Sequence, residues 1–429
     1  METVVMNAFK RIINAISPAT TSQTPRMGRV LEPRPEDTWR DYPSGNLTPS
    51  RLMAILREAD AGSLSSVLQL YEEMEEKDPH LYAVAGTRRL ALTGLEWSIE
   101  ADPMGDTNLA LRAADHARRT LARIDGFDDA LQHLALAVGR NIAVAELVWD
   151  GVGDSVSLVD IVPVDFARLA LDDVDRPRIL TDDQPIDGIE LEPNKFVVHV
   201  PQCVSGHPQR GGLLRVTALA YLAKNLALKD WMIFAEVFGM PVRIARYEPS
   251  ATAEEKREMM RMLESLGSSA AGIFSRGVEL QIVEAGRGAK GPPYQSLIEY
   301  LNREISKAWL GQTLTTDVSG ARGTLAATSV HEQVRRDILA DDIRRESRTV
   351  RRDILKPLTQ FAFGPDAPVP VFRRKLTRVG STRELADLLA VAVNDLGAAI
   401  PSGWVHDALS IPRARDAEPV LTGRRRSGS

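Results

Sequence analysis

The chain has a single cysteine, Cys203, among 429 residues, so no intramolecular disulfide can form and a cysteine-based zinc site lacks ligands. That scarcity fits a reducing compartment. Aromatic residues make up only 5%, too few for a single-strand binder that stacks bases on successive rings. No uninterrupted apolar run reaches the roughly 18 residues of a spanning helix. The best candidate, residues 131–149, is broken by His133, Arg140 and Asn141, and the N-terminus lacks a signal-peptide layout, so no membrane partner is expected. A positive charge excess is missing too: 53 Lys and Arg stand against 58 Asp and Glu, a net charge of -5. Tight binding to nucleic acid draws its affinity from neutralised phosphates, so any role beside DNA must be something other than gripping it. What is present is an ordinary folded composition, 44% hydrophobic and 26% charged, in a chain long enough for roughly two to four domains.

Residues 1–50 are dense in Pro, Ser, Thr and Gly without a hydrophobic period and read as an extended arm. From 52 to about 92 the apolar spacing is helical, and Trp97 to Glu100 alternates like a strand. Helices are predicted at 108–124 and 130–138. A strand follows over 143–149, turning at Asp150-Gly151, with further strands at 158–162, 166–171 and 195–200. This is a mixed α+β region.

Residues 213–238 contain no Pro or Gly and are apolar on nearly every side, which predicts a helix roughly 40 Å long. A helix of that kind must be enclosed by neighbours, within one domain or between subunits. A short strand at 240–247 follows, then a capping box at Thr252-Ala253-Glu254-Glu255 opening a helix, then a strand at 278–284. A second long helix spans 294–310, after Pro292-Pro293 and before Gly311. Residues 312–329, small and hydroxyl-rich, read as a loop. A second capping box, Ser329-Val330-His331-Glu332, opens a helix to Phe361 with a kink expected at Pro357. Arg-Arg-Asp-Ile-Leu occurs at 335 and again at 351; at about 100° per residue the copies fall on nearly opposite faces, so they are no structural repeat. Residues 369–372 read as a strand, Ser381 to Glu384 caps a helix ending at Gly397, a short helix surrounds Trp404, and 423–429 is a basic tail.

Several chemical signals fail on context. Residues 286–291 satisfy G-x-G-x-x-G, but the preceding strand is amphipathic and two prolines separate the glycines from the next helix, so no dinucleotide cofactor is expected. His331-Glu332 begins the helical zinc motif H-E-x-x-H, yet position 335 is Arg, and Cys203 with His207 has no further ligands; no metal is expected. Neither a G-x-S-x-G elbow nor a phosphate-binding P-loop occurs, and no catalytic residues stand out. On the 294–310 helix, Glu299 with Arg303 and Glu304 with Lys307 read as intrahelical ion pairs. Arg303 and Lys307, also four apart, could instead point together at a passing polyanion.

Two stretches, KNLALKDWMIFAEVFGMP (224–241) and ISKAWLGQTLTT (305–316), closely resemble the Mu-like family of tailed-phage portal proteins. The resemblance covers roughly residues 50–420 in order. It implies a non-enzymatic structural protein with an α+β portal fold: wing, two-helix stem, clip, tunnel loop and helical crown, assembled as a closed, typically dodecameric ring. Mapped here, it implies an arm at 1–50, wing at 51–212, first stem helix at 213–239, clip at 240–293 and second stem helix at 294–311. The tunnel loop follows at 312–329, the long wing helix and strand at 330–378, the crown at 379–422 and the tail at 423–429. The implied partners are further copies of the chain, double-stranded DNA in the channel, the terminase, the major capsid protein and head-tail adaptor proteins. The implied location is the portal vertex of the virion, after assembly in the host cytoplasm. A wall that lets a polyanion slide needs few cations and many small polar groups. Thr313, Thr315, Thr316, Ser319, Arg322 and Thr324, with Arg303 and Lys307, are therefore the expected DNA-facing set, and Arg243, Arg246, Arg287 and Lys290 of the clip are expected to dock partners. The alternatives are a head-tail adaptor ring, usually much shorter, and a soluble enzyme with an unrecognised carboxylate site.

Overall fold

The computed structural model describes residues 26–31, 47–152, 155–202, 205–238, 242–246, 252–265, 279–283, 293–313, 325–375, 382–409 and 411. Two compact units divide the chain, Met1–Arg374 and Lys375–Ser429.

In the first unit, three helices lead. Thr48 accepts from the Arg51 amide to open α1 (Pro49–Asp60), with Pro49 in the first turn, where its missing N–H costs nothing. Helix α2 (Ser65–Lys77) buries Val67, Leu68, Leu70, Tyr71 and Met74, and Asp78 then caps α3 (Pro79–Thr93) by accepting from the amides of His80 and Leu81. Strand β1 (Trp97–Glu100) follows, then α4 (Thr107–Leu121), α5 (Phe127–Ala135) and α6 (Ala137–Arg140). Strands β2 (Ala143–Val152), β3 (Ser155–Pro163) and β7 (Phe196–His199) make one antiparallel sheet in the order β3-β2-β7. A second small sheet joins β4 (Leu169–Leu171), β5 (Pro177–Ile179) and β6 (Ile189–Glu190).

Three features depart from the sequence reading here. Asp150 and Gly151 do not turn: they pair with Ser157 and Val156, because the β2–β3 ribbon keeps its cross-strand hydrogen bonds until Val152 faces Ser155. Residues 166–168 form a 3₁₀ turn rather than strand, since the Asp165 carboxylate accepts from the Ala167 amide and holds the chain bent. The last strand, β10 (Val371–Arg374), begins two residues later than expected; its register is set by β1, with Trp97 opposite Arg374.

Helix α7 (Leu213–Phe238) has the bounds the sequence predicts. Strand β8 (Val242–Arg246) pairs antiparallel with β9 (Glu279–Val283), and α8 (Ala253–Ser265) lies between them in the chain. Its capping box forms as expected: the Thr252 amide donates to Glu255 Oε2 at 2.7 Å and the Glu255 amide to Thr252 Oγ1 at 3.3 Å. Helix α9 (Pro293–Leu310) runs antiparallel to α7, with Phe234 and Tyr294 rings 6.0 Å apart at one end and Leu214 near Trp309 at the other.

Helix α10 (Leu325–Val350) starts ahead of the second capping box, so residues 325–329 are helical and the expected loop is shorter. Leu325-Ala326-Ala327 are strong helix formers that extend the helix past Ser329. Glu332 is not a cap but meets Arg336 at 3.3 Å and Arg335 at 3.7 Å. Just ahead of Pro357, where the kink was expected, the helix makes a π-helical turn over Arg351–Leu355, immediately before α11 (Lys356–Phe363). Widening the turn accommodates a proline ring that can neither donate backward nor fit under a regular carbonyl ladder.

The second unit contains α12 (Thr382–Asn394), followed by Gly397 at φ +62°, and α13 (Ser402–Ala408) around a half-exposed Trp404. Among the described residues, no helix is long and apolar enough to cross a membrane.

Candidate functional site

The place where α7 and α9 root in the first unit is held by polar contacts between distant segments. Asp78, already capping α3, also accepts from Lys224 Nζ of α7 at 2.7 Å, and both side chains are buried. The cost of burying such a pair is offset because Asp78 Oδ1 also accepts from the His80 and Leu81 amides. Two residues further, in the first turn of α3, the His80 ring meets Ser306 Oγ of α9 at 2.8 Å; burial and the Lys224 charge hold that imidazole below its usual range. Arg88 makes a two-pronged bond to Asp342 of α10 at 2.9 and 3.0 Å and donates to the Trp309 carbonyl at 2.9 Å. One guanidinium thus joins α3, the end of α9 and α10. Trp309 is fully buried, and a Cβ on Gly139 would sit 2.9 Å from both its ring and Leu214, so only glycine admits this close packing. Behind them, Arg374 of β10 binds Glu346 of α10 in two-pronged fashion at 2.8 and 2.7 Å and donates to the Leu95 carbonyl. Burial raises the Glu346 pKa despite that partner.

Above this root, Arg303 and Lys307 lie exposed on α9, as the helical period demands. Lys307 bonds Glu304 at 2.5 Å, while Glu299 accepts from Gln295 at 2.8 Å. Helix α9 ends at Gly311, whose amide returns to the Lys307 carbonyl and whose φ is +67°. Thr313 follows, half-buried, as the last described residue before the loop. Thr315, Thr316, Ser319, Arg322 and Thr324 lie outside the described residues, as do Arg287, Lys290, the 286–291 glycine motif and Cys203. Arg243 and Arg246 sit on β8, opposite Ile282 and Glu279. His207, weighed as a zinc ligand, has its Nδ1 2.7 Å from Asp175 Oδ2 instead.

The sequence left open whether α7 is enclosed within one domain or between subunits, and it did not single out the face that stays open. Among the described residues, one face of α7 is left uncovered: Val216 and Leu219 are each 67% exposed, and Leu226 and Ile233 are exposed as well. With Ala223 and Asp230 these positions recur at alternating steps of three and four, the spacing of a helix-helix seam. That spacing was in the sequence, but apolar residues on the other faces hid it.

Residues 68–411 match the family described as "Portal protein of Mu bacteriophage". The chain belongs to the Mu portal-protein family. Within that family, the portal protein of Escherichia phage Mu is 31% identical over 388 residues, spanning 89% of this chain and 74% of its own. The Mu-like prophage FluMu protein gp29 of Haemophilus influenzae is 32% identical over 391 residues, with the same coverage. Solved structures share the portal fold at far lower identity. A chain in the neck of an empty gene transfer agent particle superposes with a TM-score of 0.56 at 13% identity, over 79% of this chain and 91% of that one. A chain in the native particle's virion gives 0.52 at 11% identity, over 85% and 95%.

Proposed function

We propose that copies of this portal-family chain close into a ring at one capsid vertex, through which double-stranded DNA is packaged and later ejected. The observation that carries the ring is the open seam on α7. Full burial of a Val, Leu or Ile side chain stabilises by about 1.5–3 kcal/mol, so a row of four left in water marks a surface made to be covered. A neighbouring copy at every junction covers it without leaving an odd face over, which is what a closed ring does.

In this reading α7 and α9 are the stem, residues 240–293 the clip, residues 312–324 the tunnel loop, α10 the long wing helix and α12–α13 the crown. Arg303 and Lys307 face the DNA together with Thr313, Thr315, Thr316, Ser319, Arg322 and Thr324. The Lys307–Glu304 pair supports this: a cation already partnered offers a passing phosphate a weaker hold than a free one, so the polyanion can move. The clip, with Arg243, Arg246, Arg287 and Lys290, docks the terminase and afterwards the head-tail adaptors, while the wing meets the major capsid protein.

The test is the assembly state of Val216→Asp/Leu219→Asp. Both side chains face water in the single chain, so the variant is expected to keep the wild-type circular-dichroism spectrum while native mass spectrometry and negative-stain images show monomers in place of rings. Rings formed by the double variant as readily as by wild type would sink the seam as the assembly surface. A wild-type chain that stays monomeric in the particle as well would sink the ring itself.

A further inference from the structure

The pair Glu146–Lys195 is 3.3 Å apart, both side chains are fully buried, and the stem and ring use neither. Its position is at the edge of the β3-β2-β7 sheet. Strand β7 pairs with β2 only from Ala143 to Glu146, so beyond Leu147 that edge of β2 is open to another extended segment. Residues 26–31 fill the gap. The Gly28 amide donates to the Trp149 carbonyl at 2.8 Å in an antiparallel bridge. Glu146 accepts from the amides of Val30, through Oε1, and Leu31, through Oε2, and Lys195 Nζ donates to the Gly28 carbonyl as well as to that of Leu147. Leu31 alone inserts its side chain into the core, at 6% exposed. Gly151, unusual inside a strand, lies where a Cβ would come within 3.1 Å of the Met27 side chain.

We propose that Glu146 and Lys195 form a main-chain receptor for an extended peptide, and that its occupant is the chain's own segment 26–31. Of the four hydrogen bonds to the arm's backbone given above, three end on these two side chains; the Arg26–Glu192 ion pair adds a side-chain contact. The charges explain why the receptor is ionic. A buried ion pair adds little stability by itself, and it persists where its remaining lone pairs and protons are satisfied. The arm satisfies them: it supplies two N–H groups to the carboxylate and one carbonyl to the ammonium. Recognition is therefore indifferent to the side chains at 29 and 30 and sensitive to the loss of a single N–H. The arm is fastened to the wing by strand addition, with Arg26 meeting Glu192 at 3.6 Å.

Two substitutions at one position test the receptor. Val30→Pro removes the N–H that Glu146 accepts, whereas Val30→Ala keeps it. In hydrogen exchange on the full-length chain, Val30→Pro is expected to speed exchange at the Gly28 and Leu31 amides by at least about tenfold while β2 and β7 amides stay protected. Val30→Ala is expected to leave both arm amides as slow as in wild type. Unchanged protection in Val30→Pro, or release by Val30→Ala, would overturn main-chain recognition. The occupant is tested by disulfide cross-linking of Met27→Cys with Gly151→Cys in a Cys203→Ser background. Placed on the same chain, they are expected to cross-link internally; placed on different chains expressed together, they are expected not to join. A cross-link between chains would assign the segment to a neighbouring copy, and no cross-link in either case would remove the arm from the site. The internal cross-link reads out in a monomer as well as in a ring, so this result stands apart from the assembly test.

Discussion

His199 is fully buried, its Nδ1 2.9 Å from Thr349 Oγ1, and burial followed by the nearby Arg352 and Arg345 charges pushes its pKa down to about 3. His133 reaches only about 4, mainly through burial, although the Val144 carbonyl at 3.1 Å partly offsets it. Both are neutral in the folded chain, while the unfolded chain protonates them near the ordinary 6.5. Between those values the unfolded state binds more protons, so stability falls as pH drops from about 6.5 toward 4. Glu346 works the other way, its raised pKa removing stability as pH rises above the usual carboxylate range. Comparing wild type with His133→Gln/His199→Gln isolates the histidines: the double variant is expected to melt lower at pH 7 but to lose less on acidification to pH 5. Parallel melting curves against pH would show that the two rings do not carry the acid sensitivity. Nothing in the sequence marks these residues as titration-sensitive. His133 registers there only as a break in an apolar run, because burial is contributed by segments far along the chain.

At the scale of elements, periodicity was legible wherever a helix or strand meets the core on one face. The bounds of α7, the capping box of α8 and the stop of α9 at Gly311 all follow from local chemistry. Boundaries set by competition were not legible. The box at 329–332 has the right residues but loses to three helix formers ahead of it, and Pro357 is absorbed by a π turn whose Asp353 accepts from the Val198 amide of a distant strand. Gly311 ties local to tertiary structure. Its φ of +67° favours glycine, and a Cβ there would lie 2.8 Å from Val334 Cγ1 of α10. Gly311→Ala is accordingly expected to destabilise by about 1–3 kcal/mol, seen as an earlier denaturant midpoint with an unchanged slope. A midpoint equal to wild type would mean that α9 and α10 separate freely at the loop root.

For the whole molecule, the net charge of -5 bears on the proposed passage of DNA. Within the portal reading, a conduit works by not holding its contents, so the tunnel loop should matter for passage rather than for assembly. Deleting residues 315–323 is expected to leave rings intact in images of the purified chain and to lower DNA packaged or retained per particle. Normal packaging by that deletion would refute the loop's role. The sequence by itself determined the order and type of most elements, the acidic charge balance and the family, since composition, helix periods and the motifs at 224–241 and 305–316 are read directly from it. Only the tertiary structure decided which side of an all-round apolar helix stays open, and that Arg88 meets Asp342, Lys224 meets Asp78, and Glu146 with Lys195 closes on the arm. Those pairings join residues more than a hundred positions apart or charges hidden in a sheet. Their partners are chosen by how layers pack, which no short window of sequence contains.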